Sequence, residues 1–284
     1  MRVAPHATPH AAAHFAPHVT PRGTLRWASV GALLGALLAL AVYAPAAWLA
    51  AGVQDATAGR LLLADARGTV WTGSAVMVLT GGAGSRDASA LPGRLQWTLR
   101  LDGAALALRA RQDCCIGTEL KLRVVPGLGR LRLELPTTGG PVALLGQWPA
   151  AWLTGLGTPW NTLQPAGLLA LSSSGFVAES VQGRWIFSGR LELELRNLSS
   201  SLSTLEELGS YRLSLQGDER GDAAQLQLST QSGALQLSGS GQWAASKLRF
   251  NGQASAAPGS ESALGNLLNI IGRRQGALSL ISIG

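Results

Sequence analysis

Four histidines, His6, His10, His14 and His18, recur every fourth residue, the spacing that on a helix would set four imidazoles along one face as metal ligands. Proline denies them that helix, because Pro5, Pro9, Pro17 and Pro21 interrupt the same stretch. Residues 1–26 therefore read as a disordered, low-complexity cytoplasmic tail, and no metal is expected. Beyond residue 18 there is no histidine, so Ser-His-Asp, Cys-His and His-ligated zinc chemistry have neither base nor ligand. A Ser-Lys pair could use only Lys121 or Lys247, and both stand in alternating patterns without a nucleophile motif beside them. Glu192 and Glu194 could form an acid/base couple, but they alternate with leucines in the manner of a solvated strand face. No glycine fingerprint for a nucleotide phosphate is present. The expectation is a chain without catalytic residues, cofactor or metal, and not an enzyme.

Cys114 and Cys115 are the only cysteines, and they are adjacent. Three states compete: a vicinal disulfide, a buried free pair, and a disulfide to another chain. Because Cα atoms across one trans peptide lie about 3.8 Å apart, below the usual disulfide range, the buried or unpaired state is favoured. The net charge of +7 raises the question of a polyanionic partner. Basic residues sit singly between leucines, as in Leu99-Arg100-Leu101 and Leu131-Arg132-Leu133, and nowhere form a run. Phosphate-backbone binding needs them gathered on one face, so nucleic acid is not expected.

The elements that would position these residues begin with an anchor. No charge occurs from Trp27 to Gln54, and residues 27–52 read as one transmembrane helix able to cross the roughly 30 Å hydrocarbon layer, with Trp27 and Trp48 at the two headgroup levels. Arg22 and Arg26 precede it and Asp55 follows, which places the N-terminus in the cytoplasm and the body beyond the membrane. A cleaved signal peptide is the competing reading, with Val30 to Val42 as its apolar core and Ala44, Ala46 and Ala47 near the processing site, where Pro45 stands against it. Either way the body is exported. Gly31, Gly35 and Ala39 repeat at the spacing of close helix contacts, which an Ala/Gly-rich span also produces by chance.

After residue 55 apolar residues alternate with polar ones, the period of a strand with one wet face. Leu95, Trp97, Leu99 and Leu101 start the series, and Leu106/Leu108, Leu120/Leu122/Val124 and Leu131/Leu133/Leu135 continue it. Later come Trp185/Phe187, Leu191/Leu193/Leu195, Tyr211/Leu213/Leu215, Leu226/Leu228, Leu235/Leu237 and Leu248/Phe250. Asp102-Gly103, Gly217 to Asp222 and Ser232-Gly233 are turn sequences between them. Two stretches carry helical spacing: 141–156, with Leu144, Leu145, Trp148, Trp152 and Leu153, and 261–274, with Leu264, Leu267, Leu268 and Ile271. Both would cover the apolar face. The expected fold is mainly β, one or more curved, largely antiparallel sheets with two short helical segments after the transmembrane helix. Its divisions are a first β half at 53–140, a helical connector at 141–164 and a second β half at 165–284. Among the tryptophans, Trp160 stands in the turn-like Thr158-Pro159-Trp160-Asn161, where it could anchor a partner.

Three segments carry a likeness. Gly59-Arg60-Leu61-Leu62-Leu63 leads to Ala66-Arg67-Gly68-Thr69-Val70-Trp71-Thr72-Gly73, then come Leu91-Pro92-Gly93-Arg94-Leu95-Gln96-Trp97, and Thr158-Pro159-Trp160 before Pro165-Ala166-Gly167-Leu168. In order and character they resemble the N subunit of the bacterial type II secretion system, over residues 25–284. The resemblance implies a single-pass inner-membrane accessory or scaffold subunit with a periplasmic body, in the machine that exports folded proteins from the periplasm across the outer membrane. The anchor makes the lipid bilayer a partner through residues 27–52, and the resemblance implies inner-membrane platform subunits and the outer-membrane secretin as partners, and no catalytic residues. The alternative is a periplasmic lipid-binding or lipid-transfer protein using the apolar face of a curved sheet.

Overall fold

A computed structural model describes residues 22–135, 142–217, 223–244 and 247–284. The histidines and the turn residues 218–222 lie outside them. Two compact units divide the chain, one ending at Tyr43 and one spanning Ala44–Gly284.

Helix α1, Arg22–Val42, belongs to the first unit and closes with the Tyr43 N–H donating to the Ala39 carbonyl at 2.9 Å. The helix expected over 27–52 stops there. Pro45 is extended (φ −63°, ψ 144°) and caps a separate helix, α2, Ala46–Ala56, in the second unit. The reason is local: proline cannot donate to the preceding turn and pushes the residue before it out of helical geometry. Trp48 therefore sits on α2 rather than at the end of a long span. Among the described residues no helix is long and apolar enough to cross a membrane.

The second unit is built on strands β1 Leu61–Gly68, β2 Thr72–Thr80, β3 Ala88–Ala90, β4 Leu95–Asp102, β5 Ala105–Gln112, β6 Ile116–Gly127, β7 Arg130–Glu134 and β8 Ala143–Pro149. A 3₁₀ helix, Ala150–Leu156, and the short α3, Trp160–Leu163, lead to β9 Pro165–Val181, β10 Arg184–Ser200, β11 Gly209–Gly217, β12 Ala223–Ser232, β13 Leu235–Ala244 and β14 Lys247–Ala256. Helix α4, Glu261–Ile271, and the hairpin of β15 Arg273–Gln275 with β16 Leu278–Ile283 end the chain. All described strands form one antiparallel sheet in the order β1-β2-β4-β5-β6-β7-β9-β10-β11-β12-β13-β14-β16-β15, with β3 added to β2 and β8 to β9. Strand β7 pairs with β9, so the two expected halves run on as a single sheet.

Register makes one face apolar across the strands. Leu108 stands between Leu99 and Leu122, Leu193 between Leu171 and Leu213, and Leu213 opposite Leu228. Where aromatics crowd this face, glycine makes the room. The Phe250 ring lies over Gly239, Gly241 and Gly252, each of which would press a Cβ to within 3 Å of it. Phe187 on β10 and Trp243 on β13 meet edge to face with centroids 6.0 Å apart, although two strands separate them. The residues beneath are Gly217 and the fully buried Ala224, too small to hold the rings apart.

Helix α4 closes the far part of this face. Leu264, Leu267 and Leu268 fall on one stripe and pack with Leu208, Tyr211, Leu235 and Ala254. Burying each leucine stabilises by about 1.5–3 kcal/mol. The Tyr211 hydroxyl is shared between the Leu235 and Leu208 carbonyls at 2.9 and 3.1 Å, and burial pushes its pKa up. The helix ends at Ile271, short of the expected 274, because Gly272 is extended and residues 273–275 are drawn into the hairpin with β16. The buried Ser279 hydroxyl donates to the Leu268 carbonyl, one of the acceptors a helix end leaves open.

The other expected helix is a strand. Residues 143–149 form β8 on the edge of β9, followed by the 3₁₀ turn. A bulge between Leu144 and Gly146 inserts one residue, which converts strand alternation into the 144, 145, 148 spacing that resembles a helix. Strand β10 likewise joins two expected strands, Trp185/Phe187 and Leu191 to Leu195, across a shift at Gly189 (φ +73°).

Candidate functional site on the two faces of the sheet

Glu194 decides how the carboxylate pair behaves. Arg212 stands opposite it on β11 and reaches its carboxylate at 2.8 Å, while Arg196 reaches it from the same strand. Hydrogen bonds from Arg196 and then Arg212 hold its pKa below the ordinary glutamate value. Glu192 pairs with Arg190 at 3.5 Å. A depressed folded-state pKa contributes stability above the unfolded value, and that contribution is lost as pH falls through the folded value. Replacing Glu194 by glutamine is expected to lower stability at neutral pH by at most about 1 kcal/mol and to change nothing at pH below both values. Melting temperatures measured across the acid range check this, and an equal loss at every pH would contradict it.

Similar pairs recur over the polar face. Asp65 accepts from Arg67 and from Arg94 at 2.7 Å, and these bonds lower its pKa. Glu179 accepts from Arg130 at 2.7 Å and Arg132 at 3.4 Å, and Arg132 also meets Glu134. Strands β4 to β6 depart from this balance. Alternation and register bring Arg100, Arg109, Arg111, Lys121 and Arg123 onto one face there, with Arg109 directly opposite Lys121. Their acidic neighbours are Glu119, 3.8 Å from Arg109, Asp102, 3.7 Å from Arg123, and Glu134, opposite Arg123 on β7 but held by Arg132. Basic residues that sit singly in the sequence are thus gathered by the sheet, because every second residue points the same way and neighbouring strands align those positions. Laying the alternating segments side by side would have revealed it; scanning for a run of charges could not.

Cys114 and Cys115 are disulfide-bonded to each other, which corrects the unpaired state favoured from spacing. They sit in the β5–β6 turn. The Cys115 carbonyl accepts from the Gln147 N–H of β8 at 2.7 Å, and a cleft of about 530 Å³ lies between β6 and β8 beside them. Among the described residues no group of three or more His, Cys, Asp or Glu side chains could hold a metal ion.

The segments that carry the family likeness occupy two junctions. In the β1–β2 turn the Thr69 N–H donates to the Thr72 carbonyl and the Val70 N–H to the Ala44 carbonyl, while Pro45 bridges to Thr69. Trp97 lies across Gly73 on the neighbouring strand, 3% exposed, and donates from Nε1 to the Val70 carbonyl at 3.1 Å. Trp160 opens α3 after the cis Thr158–Pro159 bond and is half-buried. A family model described as type II secretion system (T2SS), protein N matches residues 59–280.

The chain belongs to this family.

The match to T2SS protein N begins just after α2 and takes in the sheet from β1 into β16, so the Gly68–Gly73 turn with Trp97 and the Trp160 segment lie inside it, while Ala44 and Pro45 precede it. Comparisons with curated proteins and with solved structures find no match. Family membership places the role of the chain in type II secretion. In this T2SS protein N chain the Gly68–Gly73 turn ties the entering segment Ala44–Pro45, the first hairpin and β4 together through Trp97.

Proposed function

We propose that the protein is a non-enzymatic accessory scaffold of the type II secretion system, attached to the inner membrane through its N-terminal helix with the sheet in the periplasm. What carries this reading is one continuous antiparallel sheet whose described strand carboxylates are each engaged by arginine, in a chain of the T2SS protein N family. Attachment is supported by α1, where Leu33, Leu34, Leu37, Leu38 and Leu40 are all more than half exposed and no charge occurs from Trp27 to Val42. That uncharged part measures roughly 24 Å, less than the hydrocarbon layer, so insertion needs local thinning of the bilayer. Platform subunits and the secretin are the proposed partners. Crosslinking in intact cells should capture at least one of them, and deletion should reduce exoprotein export. No captured component together with undiminished export would end the proposal.

One observation favours lipid binding as a second reading. The helical cover expected at 141–156 is a strand for half its length; α2 packs over β1–β2, the 3₁₀ helix over β2, β3 and β9, and α4 over the cluster that runs from β11 to β16. Between them Leu122, Leu133, Leu193, Leu213 and Leu215 remain half-buried on the apolar face. Solvent extraction of the purified protein followed by mass spectrometry would find near-stoichiometric lipid under this reading; its absence removes it.

A further inference from the structure

We propose that the basic polar face of β4–β6 is a docking surface for an extended acidic segment of another secretion-system component, one in which Asp or Glu alternates with uncharged residues. The inference rests on the scaffold reading above and names the chemistry of its partner. Glu134, opposite Arg123 on β7, is held by Arg132 at 2.7 Å, and on β4–β6 themselves five basic side chains, Arg100, Arg109, Arg111, Lys121 and Arg123, share this face with two acidic ones, Asp102 and Glu119. Those two make the longest ion pairs among the described residues, at 3.7 and 3.8 Å, while Glu179, Asp65 and Glu194 have partners at 2.7–2.8 Å. Arg100, Arg111 and Lys121 have no carboxylate within 4.0 Å among the described residues. Like charges directly opposite on neighbouring strands destabilise a sheet, and Arg109 stands opposite Lys121. An anion laid over them relieves that repulsion.

Spacing selects the kind of anion. Arg109 and Arg111 are two residues apart on β5, and Lys121 and Arg123 two apart on β6, so each pair repeats at about 6.6 Å along its strand. A peptide in extended conformation presents alternate side chains at the same repeat, so successive carboxylates meet successive guanidinium groups, which bind them bidentately. At one side the field opens into a trough of about 540 Å³, where Arg67, Arg94, Arg109 and Arg111 outnumber the single carboxylate, Glu119, and Trp97 lies among the lining residues. A bilayer surface is less suited, because the uncharged neighbours in these rows are Gln96, Thr98, Ala107 and the half-buried Val125, with no exposed large apolar side chain to enter lipid. Nucleic acid is less suited because Trp97, the aromatic residue lining the trough, is 3% exposed and seated on Gly73, which leaves no free ring for base stacking.

The test uses the full chain in detergent and a fluorescent peptide alternating glutamate and serine. Binding should be measurable at low salt, be suppressed at high salt and weaken at least about tenfold in the R109E/R111E double variant. R249E, a charge reversal on the same face at β14, should leave it unchanged, and equal melting temperatures should show that both variants are folded. Absence of peptide binding, an equal loss in R249E, or preferential binding of phosphatidylglycerol vesicles or a single-stranded oligonucleotide over the peptide would overturn the proposal. Crosslinking in cells separates it from the scaffold reading. If wild type captures secretion components and R109E/R111E captures them equally, the docking surface is wrong and the scaffold stands; if wild type captures none, the scaffold reading itself has failed.

Discussion

Replacing Leu268 by alanine should lower the stability of the protein by about 3 kcal/mol. Leu268 is 1% exposed and lies with Leu264 and Leu267 on the stripe by which α4 joins the cluster of Leu208, Tyr211, Leu235 and Ala254. Removing its side chain leaves a cavity that the sheet side cannot fill, since Ala254 contributes only a methyl and Tyr211 is held by its hydroxyl between two carbonyls. The Leu268 carbonyl also takes the Ser279 hydroxyl, so loosening α4 reaches β16 as well. Chemical unfolding followed by tryptophan fluorescence would show an earlier midpoint. Ile270 on the outer side of the same helix is 42% exposed, and its alanine variant should change stability by less than about 1 kcal/mol. Equal effects at the two positions would mean that α4 does not pack by this stripe.

Substituting alanine for Gly73 should cost about as much, for the opposite reason. A Cβ at Gly73 would stand 2.5 Å from the Trp97 ring, 2.7 Å from the Arg67 carbonyl and 2.8 Å from the Thr69 carbonyl. Two of those three are backbone atoms of the β1–β2 turn, so the strain falls on the turn or expels the ring. Overpacking costs about 1–3 kcal/mol, and losing the hydrogen bond from Trp97 to the Val70 carbonyl adds about 1 kcal/mol. The expected result is a loss of about 3 kcal/mol with a red shift in tryptophan emission as Trp97 gains water. Gly265 offers the contrast, since a Cβ there meets nothing within 4 Å on α4. Its alanine variant should gain about 0.5–1 kcal/mol, because alanine has less backbone freedom to lose in a helix. A stabilising Gly73→Ala would show that Trp97 does not seat on that glycine.

The strand content was readable because alternation reports a one-sided sheet wherever a strand is regular. Leu95 to Leu101, Leu106 and Leu108, Leu120 to Val124 and Tyr211 to Leu215 all fall in strands at the expected places. Irregularity is what misled. The bulge at Leu144–Gly146 gave β8 a helical spacing, and the shift at Gly189 made one long strand look like two. Strand β9 carries apolar and small residues almost throughout, Leu168 to Phe176, and so shows no clear alternation of apolar with polar side chains to reveal its period. Cysteine spacing argued against a bond that the β5–β6 turn accommodates. Uniform hydrophobicity hid the break at Pro45, where the chain leaves one helix and enters the sheet through Ala44 and Thr69.

The sequence by itself determined a mainly β body, the alternation that separates an apolar from a polar face, the amphipathic α4 and the likeness to the T2SS protein N family, because each is written in local order and spacing. Tertiary structure alone decided which strands are neighbours, and with them the single continuous sheet, the pairing of Glu194 with Arg212 and the gathering of Arg109, Arg111 and Lys121 into one basic field. Strand periodicity fixes the side on which a residue points, whereas its neighbours there depend on register, and register joins residues that lie far apart along the chain.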